Sequence, residues 1–336
     1  MRAIVQDRYG SINDLSLAEV PVPVPAADEV LVRVRAASVH ADVWHVVTGY
    51  PYILRLMGQG FRRPKNPIPG TDMAGIVETV GAEVTAFAPG DPVFGETVRG
   101  LQWANGGAYA EYVSVPADAL ARKPANITFE QAASVPSSGM IALMNLQRVN
   151  LPKEGQKVLV NGAGGGVGTI ALQLAKAYGA EVTAVDVSEK RQMLLSLGAD
   201  HVIDYRQTDF TRGAERYDLI FDVASNLRFS DCQRVLTPEG KYVLIGHDHY
   251  GSQGRRVMGS MPRMLTLMAR TPFTHNLPAA NFSSSNKAEL MAVLRQFLEE
   301  GKITPRIDRK YPLERTPEAL RYLTEGRALG KIVIVP

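Results

Sequence analysis

One cysteine, Cys232, is all that the 336 residues contain, and this scarcity excludes several kinds of protein. A single cysteine cannot form an internal disulfide, and it cannot build a zinc site that needs several cysteines. The N-terminus also lacks the apolar core and cleavage site of a secretion signal. We therefore expect a cytoplasmic protein.

Long apolar runs and a large excess of one charge are missing as well. No stretch of about 18 uncharged apolar residues is present, so a membrane-spanning helix is not expected. The 37 lysine and arginine side chains are nearly balanced by 34 acidic ones, and no basic stripe stands out along the chain. We therefore expect neither a membrane nor a nucleic acid as a partner.

What the chain does have is enough apolar material for two domains. Its length exceeds the size at which one hydrophobic core stops growing, and 45% of its residues are hydrophobic. Residues 1–125 contain short apolar or alternating runs separated by glycine and proline, which is typical of β-strands. Thr128 and Gln131 then form a capping box that predicts the start of a helix. Residues 157–246 alternate between strand and helix patterns, which predicts a doubly wound parallel sheet and an α/β fold.

The end of this alternating region is predicted as a helix over residues 228–236 followed by a strand over 242–246. A segment rich in methionine and arginine follows at residues 255–270. We then predict helices over 287–300 and 316–324, and a last strand over 331–335.

The most informative pattern lies between residues 157 and 191, where a buried strand leads into a glycine-rich turn, a helix and a second strand. The missing side chains let the turn approach a diphosphate closely, and the helix directs its positive N-terminal end at the same anion. Asp186 ends the second strand roughly 20 residues beyond the glycines, where a carboxylate binds ribose hydroxyls. A tight turn without a ligand is the alternative, but the order of these elements favours a dinucleotide site. The turn consists of Gly162, Ala163, Gly164, Gly165, Gly166 and Val167.

Further short motifs span nearly the whole chain: ASVHADVW at 37–44, IPGTD at 68–72, PGDPVFG at 89–95, GGAYAEY at 106–112 and LGADHVIDY at 197–205. Together with the glycine turn they resemble the medium-chain dehydrogenase/reductase superfamily. The resemblance is strongest to its zinc-independent quinone oxidoreductase branch, including the reticulon-4-interacting-protein-like members. It implies a GroES-like substrate domain over 1–125, a Rossmann dinucleotide-binding domain over 126–269, and a return of 270–336 to the GroES-like domain.

The resemblance also bears on metal binding. Zinc-dependent members use cysteine and histidine ligands where this chain has His40, Thr71 and Ser137, and hydroxyl groups are poor ligands for Zn²⁺. The four cysteines of the structural zinc lobe are absent from residues 96–112. We therefore expect no metal.

Without a metal to polarise an alcohol oxygen, hydride transfer from NAD(P)H to a quinone or an α,β-unsaturated carbonyl becomes the better fit. The resemblance thus implies an NAD(P)-dependent oxidoreductase with a small-molecule substrate. Two alternatives stay open: a metal-free alcohol or ketone oxidoreductase, and a catalytically silent nucleotide-binding partner protein.

Four residues are candidates for the catalytic site. His40 stands where this branch usually has asparagine; it either binds the cofactor ribose or protonates the enolate, or it is a buried histidine of the core. Tyr50 and Tyr52 either supply a phenolic donor and a stacking face for a planar substrate or pack as ordinary aromatic residues. Asp42 is a candidate by position alone. The segment 54–67 is either a lid over the cleft or a solvated loop.

The residues expected around the adenosine end leave the choice of cofactor open. Asp186, followed by Val187, repels a 2′-phosphate and favours NAD, whereas Lys190 and Tyr205 match positions that hold this phosphate in NADPH-using relatives. Arg191 suits either cofactor. We favour NADH and allow NADPH.

At the nicotinamide end, the expected contacts lie where strands end or begin. They are Ala224, Ser225, Asn226, Gly246, His247 and Lys331. Relatives commonly pair through an edge strand of the nucleotide domain, so we also expect a homodimer, with residues 241–246 and 255–270 at its interface.

Overall fold

Two large β-sheets organise the protein. The structure, a computed structural model, describes residues 1–56, 60–98, 104–246, 256–278 and 286–336. A short antiparallel pair, β1 (Arg2–Val5) and β2 (Ser16–Glu19), precedes a seven-stranded sheet that takes its last two strands from the C-terminal part of the chain. The strands of this larger sheet are β3 (Glu29–Val39), β4 (Asp72–Val80), β5 (Pro92–Glu96), β6 (Tyr112–Pro116), β7 (Leu120–Arg122), β13 (Ile307–Pro312) and β14 (Lys331–Val335).

The second sheet has five parallel strands in the order β10-β9-β8-β11-β12. The chain enters at the middle strand, fills one side, and then crosses over to fill the other side. The C-terminal ends of β8 and β11 therefore flank the point where the strand order reverses, which is where open α/β sheets hold their ligands. The predicted doubly wound sheet is confirmed. Its strands are β8 (Lys157–Asn161), β9 (Glu181–Asp186), β10 (His201–Asp204), β11 (Tyr217–Asp222) and β12 (Leu236–Leu244).

Nine α-helices are present in the described ranges. The predicted capping box is confirmed at α2, where the Thr128 hydroxyl accepts from the Gln131 amide and the Gln131 side chain accepts from the Thr128 amide. The helices are α1 (Ala41–Thr48), α2 (Phe129–Ala133), α3 (Pro136–Gln147), α4 (Gly166–Ala177), α5 (Arg191–Ser196), α6 (Phe229–Gln233), α7 (Met261–Arg270), α8 (Lys287–Glu299) and α9 (Thr316–Thr324).

One continuous core joins the two sheets. It contains Phe94 of β5, Val160 of β8 and Leu294 of α8, all fully buried. Helix α8 packs closely on α3, since a Cβ added at Gly139 would lie 2.9 Å from the methyl carbons of Leu294. Strand β14 pairs antiparallel with β3, and its first residue, Lys331, lies next to Ser138 of α3 and Gly166 of α4.

Two local predictions differ from the structure. Strand β12 starts at Leu236, earlier than the predicted 242–246, and the preceding helix α6 is shorter than predicted. The reason is an irregularity opposite β11, where the pairing register shifts between Tyr217 and Leu219, so that the polar stretch 237–240 bulges instead of forming a turn. The methionine- and arginine-rich segment contains a helix, α7, none of whose residues is fully buried.

Candidate active site

The glycine turn after β8 is shaped by residues that have no side chain. Gly162 has a φ of +81°, and an added Cβ would lie 3.0 Å from the amide nitrogen of Ala224. At Gly168 an added Cβ would overlap the Gly162 carbonyl and lie 2.8 Å from the Cα of Ala163. Helix α4 therefore packs directly against the turn, and its N-terminal end faces the cleft.

This turn fits a dinucleotide. A Cβ added at Gly165 would meet nothing within 4 Å except the Gly162 carbonyl at 3.5 Å, so bare backbone faces open space at the start of α4. A diphosphate needs this combination of exposed backbone and a positive helix end. Gly166, the first residue of α4, is close to Lys331, whose Cδ would be 2.8 Å from an added Cβ.

Asp186, at the end of β9, is buried against the glycine turn. Its Oδ2 accepts from the Gly164 amide at 2.8 Å, and its Oδ1 accepts from the Val187 amide at 2.9 Å. Lys190 is equally buried, with its Nζ 3.2 Å from Oδ1. The carboxylate expected to bind ribose hydroxyls thus also holds the turn, and the lysine expected to bind a 2′-phosphate forms an ion pair with it.

The other residues expected at the adenosine end lie further out. Tyr205 is 48% exposed, and its amide donates to the Asp186 carbonyl at 3.4 Å. The guanidinium of Arg191 donates to the carbonyl of Val202 at 3.0 Å. The structure therefore brings Asp186, Val187 and Lys190 together and leaves Tyr205 and Arg191 at the rim.

Asp222, a buried carboxylate that sequence analysis did not identify, fixes the loop after β11, where the nicotinamide is expected. Its Oδ1 accepts from the Asn161 side chain and from the Ser225 amide, both at 2.8 Å, and its Oδ2 accepts from the Tyr242 hydroxyl at 2.6 Å. Ser225 has a φ of +59°, and its hydroxyl donates to the Gly246 carbonyl at 2.7 Å. Asp222 thus connects the ends of three adjacent strands.

Two more of the expected nicotinamide contacts belong to this loop. Asn226 accepts from the Asn161 side chain at 3.0 Å, and Ala224 donates its amide to the Asn161 carbonyl at 3.1 Å. His247, predicted here as well, lies outside the described residues.

Arg263 of α7 fixes the same loop from outside the sheet. Its guanidinium donates to the carbonyls of Ser225 and Leu227 and lies 3.2 Å from the Tyr242 hydroxyl. No sequence motif predicted this contact.

The segment that leads into α7 also contacts the other wall of the cleft. The amide of Tyr52 donates to the Arg256 carbonyl at 2.8 Å, and the amide of Ile53 donates to the Val257 carbonyl at 3.1 Å. Residues 256–263 therefore link the loop after α1 to the loop after β11.

Tyr50 and Tyr52 lie together in the loop after α1, with ring centroids 5.1 Å apart. The guanidinium of Arg55 stacks 4.7 Å from the ring of Tyr52 and 4.4 Å from that of Tyr9, and it donates to the Gly49 carbonyl at 2.9 Å. Tyr52 is 41% exposed. These aromatic rings form a partly exposed wall, supported by cation–π contacts.

His40 is at the opposite end of α1. It is buried and caps the helix, with Nδ1 accepting from the Asp42 amide at 3.3 Å. The same nitrogen lies 3.3 Å from Asp42 Oδ2. Since eight helical residues rise about 12 Å, His40 and the tyrosines occupy two separate places along the cleft.

Comparison with known proteins identifies the family. The family described as alcohol dehydrogenase GroES-like domain matches residues 26–125, and the one described as zinc-binding dehydrogenase matches residues 197–334. A chloroplastic quinone oxidoreductase, QR1, from Triphysaria versicolor is 32% identical over all of this chain and 98% of its own.

The chain belongs to the medium-chain dehydrogenase/reductase superfamily.

Two further relatives support this placement. An NADPH-dependent alkenal/one oxidoreductase of Arabidopsis thaliana is 31% identical over all of this chain and 80% of its own. The solved structure of Escherichia coli quinone oxidoreductase complexed with NADPH is 26% identical, with a TM-score of 0.80 and complete coverage of both chains. The predicted superfamily and its combination of GroES-like and Rossmann domains are confirmed.

At the positions where zinc-dependent members of the superfamily have their ligands, this chain has a different set of contacts. Ser137, at the start of α3, donates its amide to Asp72 Oδ1 at 3.1 Å, and its hydroxyl forms a short hydrogen bond with the same oxygen. Thr71 is buried and accepts from the Thr97 amide through its carbonyl. Among the described residues, no group of three or more histidine, cysteine or acidic side chains is arranged to hold a metal ion.

Asp72 belongs to a buried charged network that the sequence also did not reveal. Glu96 Oε1 lies 3.0 Å from the Ser137 hydroxyl, and Glu96 Oε2 accepts from Lys287 Nζ at 2.7 Å. Lys331 Nζ lies 3.7 Å from Asp72 Oδ2. Burial raises the pKa of Glu96 and lowers that of Lys331, although Asp72 and Asp42 counteract the shift at the lysine.

No helix in the described part of the chain is long and apolar enough to cross a membrane.

Proposed function

We propose that the protein reduces quinones or α,β-unsaturated carbonyl compounds by hydride transfer from NAD(P)H. The observation that carries the proposal is the bare backbone at Gly165, which faces open space at the start of α4, as a bound diphosphate requires. Relatives that match the whole of this chain are described as a quinone oxidoreductase and an alkenal/one oxidoreductase.

The cofactor, when bound, supplies the hydride. The glycine turn and the N-terminal end of α4 hold its diphosphate, and Ala224, Ser225 and Asn226 lie at its nicotinamide end, with Gly246 and Lys331 beside them. Tyr50 and Tyr52, whose rings are tilted by 57° to each other, each offer an aromatic face against which a quinone or enone stacks.

His40 is the proposed proton donor. When the imidazole is neutral with its hydrogen on Nε2, Nδ1 accepts from the Asp42 amide and Nε2 can donate a hydrogen bond to an enolate oxygen. When the imidazole is protonated, Nδ1–H has Asp42 Oδ2 as a partner at 3.3 Å, and Nε2 gives its proton to the enolate oxygen. The imidazole is then neutral with its hydrogen on Nδ1, where Asp42 Oδ2 accepts it, so Asp42 supports the histidine before and after the transfer.

For the cofactor, we propose that NADH is preferred and that NADPH is accepted. The Asp186 carboxylate is fixed next to the ribose position by the Gly164 amide, and it repels a 2′-phosphate. Lys190 partly neutralises this charge, so the discrimination is modest. Replacement of Asp186 by serine is expected to shift the ratio of kcat/KM values about tenfold toward NADPH. An unchanged ratio in that variant would remove Asp186 from the explanation.

Three organisational predictions remain part of the proposal. The domain limits are 1–125, 126–269 and 270–336. The protein forms a homodimer, and strand β12 at the edge of the five-stranded sheet is the surface that supports this. No metal takes part in the reaction.

Steady-state oxidation of NADH and NADPH with three substrates tests the function: a quinone, an enone and a simple saturated ketone. We expect turnover of the quinone or the enone, unaffected by chelators. Turnover of the ketone alone would instead support a metal-free alcohol or ketone oxidoreductase. Cofactor binding without any turnover would support a silent nucleotide-binding protein.

A further inference from the structure

The buried network behind the cleft contains a hydroxyl group that lies between two carboxyl groups. Ser137 Oγ forms a short hydrogen bond with Asp72 Oδ1 and lies 3.0 Å from Glu96 Oε1. Both acidic side chains are completely buried. Asp72 and Glu96 face each other on neighbouring strands, as partners in the β4–β5 register.

Proton counting shows that this arrangement is incomplete if both carboxyl groups are ionised. A serine hydroxyl has one hydrogen and can satisfy one of the two acceptors. The second contact then places a hydroxyl oxygen against a buried carboxylate oxygen, which is costly at this depth. A proton on one carboxyl group removes the conflict, because that group then donates to the serine while the serine donates to the other.

The surroundings of the two carboxyl groups favour Glu96 as the one that carries this proton. Asp72 is stabilised as an anion by the Ser137 amide at 3.1 Å, by the Ser38 hydroxyl at 3.1 Å and by the Ser137 hydroxyl. Glu96 receives one such contact, from Lys287 at Oε2. With the proton on Oε1, Glu96 donates to Ser137 and still accepts from Lys287, so every contact is satisfied.

The network leads from the protein surface to the cleft. The side chain of Lys287 is 28% exposed, whereas that of Lys331 is 4% exposed. Lys331 Nζ lies 3.7 Å from Asp72 Oδ2 and donates to the Ser138 hydroxyl at 3.2 Å. Lys331 Nζ also lies at the start of α4, 3.8 Å from the position of a Cβ added at Gly166.

We propose that Glu96 stores the proton that completes the reduction, and that Ser137, Asp72 and Lys331 carry it to the cleft. The proposal rests on the function proposed above. In each turnover the substrate gains a hydride at carbon from NAD(P)H and a proton at oxygen, and the ammonium group of Lys331 gives the cleft a proton in replacement. Lys331 then takes a proton from Asp72, Asp72 takes one from Ser137 and Ser137 takes one from Glu96, so Glu96 is left as a carboxylate until a proton from solvent returns to it beside Lys287.

Infrared difference spectroscopy of the cofactor-free protein tests the storage step. The wild type is expected to show the carbonyl band of a buried protonated carboxyl group at neutral pH, and the band is expected to be missing from Glu96→Gln. Glu130→Gln is the matched control, because Glu130 forms an ion pair with Lys310 at the surface. A wild-type protein without the band, or a Glu96→Gln protein that keeps it, would overturn the proposal.

Single-turnover reduction of an enone tests the transfer step. Ser137→Ala is expected to keep the carboxyl band but to slow the reaction about tenfold, with partial recovery when a small carboxylic acid is added. Glu96→Gln is expected to slow it similarly and to change its pH profile. Wild-type rates and pH profiles in both variants would overturn the transfer step. If the wild type reduces neither quinone nor enone, the proposed function fails, and the band still decides whether Glu96 stores a proton.

Discussion

Replacement of Arg263 by methionine is expected to weaken cofactor binding, because this arginine fixes the loop at the nicotinamide end. It makes two hydrogen bonds to the carbonyls of Ser225 and Leu227, and its side chain is 28% exposed. A hydrogen bond from a charged donor contributes about 1.5–3 kcal/mol, and partial exposure reduces this to roughly 1 kcal/mol each. Without these bonds the loop has to be ordered when the cofactor binds, which transfers up to about 2 kcal/mol to the binding step, or up to about 30-fold in Kd.

Fluorescence titration with NADH measures this effect directly, and unfolding by denaturant measures stability in parallel. Arg270→Met is the matched control, because Arg270 lies on the same helix and is exposed. Arg263→Lys keeps the charge but cannot bind two carbonyls in the same geometry, so it is expected to recover little affinity. An Arg263→Met protein that binds NADH within about twofold of the wild type would refute the reasoning, even if its stability falls.

Three further predictions concern packing and protonation. Gly168→Ala is expected to lower the free energy of unfolding by about 1–3 kcal/mol, because the new methyl group overlaps the Gly162 carbonyl; chemical denaturation measures the loss, and an unchanged midpoint would contradict it. Burial raises the pKa of the Cys232 thiol to about 12, so the native protein is expected to react with a thiol reagent only after unfolding, and rapid labelling of the folded state would show otherwise. Burial also raises the pKa of Glu96, so at pH values between the ordinary carboxyl pKa and the raised one the folded state holds a proton that the unfolded state lacks. The free energy of unfolding is therefore expected to fall as the pH rises through this window. The fall is expected to be smaller in Glu96→Gln.

The features that local sequence specifies were predicted well. The glycine turn and its flanking strands are determined by neighbouring residues and by backbone geometry, so their pattern is visible in the sequence. The same holds for the capping box of Thr128 and Gln131, whose partners are three residues apart.

The contacts that the sequence did not reveal join distant parts of the chain. Lys287 and Glu96 are 191 positions apart, and Lys331 and Ser138 are 193 positions apart. Their pairing depends on the return of the C-terminal strands to the first sheet, which no local pattern encodes. The contact of Arg263 with the loop after β11 is also of this long-range kind. Its helix has no buried residue, so no apolar pattern in the sequence indicates what it contacts.

The role of Asp186 shows a different limit. Its place at the end of β9 was predictable, and the residue is indeed next to the glycine turn. Its two oxygens are already bound by backbone amides and by Lys190. These contacts depend on side-chain rotamers and on how closely two loops approach each other. Residue type and spacing define where such a carboxylate lies, but not which partners it has.

The connection made by residues 256–263 has a consequence for the order of events in catalysis. One end of this segment is hydrogen-bonded to Tyr52 and Ile53, and at the other end Arg263 donates a hydrogen bond to the carbonyl of Ser225. A movement of either wall is therefore transmitted to the other. We expect departure of the spent nucleotide and exchange of the organic product to depend on each other, so that the two products leave in a preferred order.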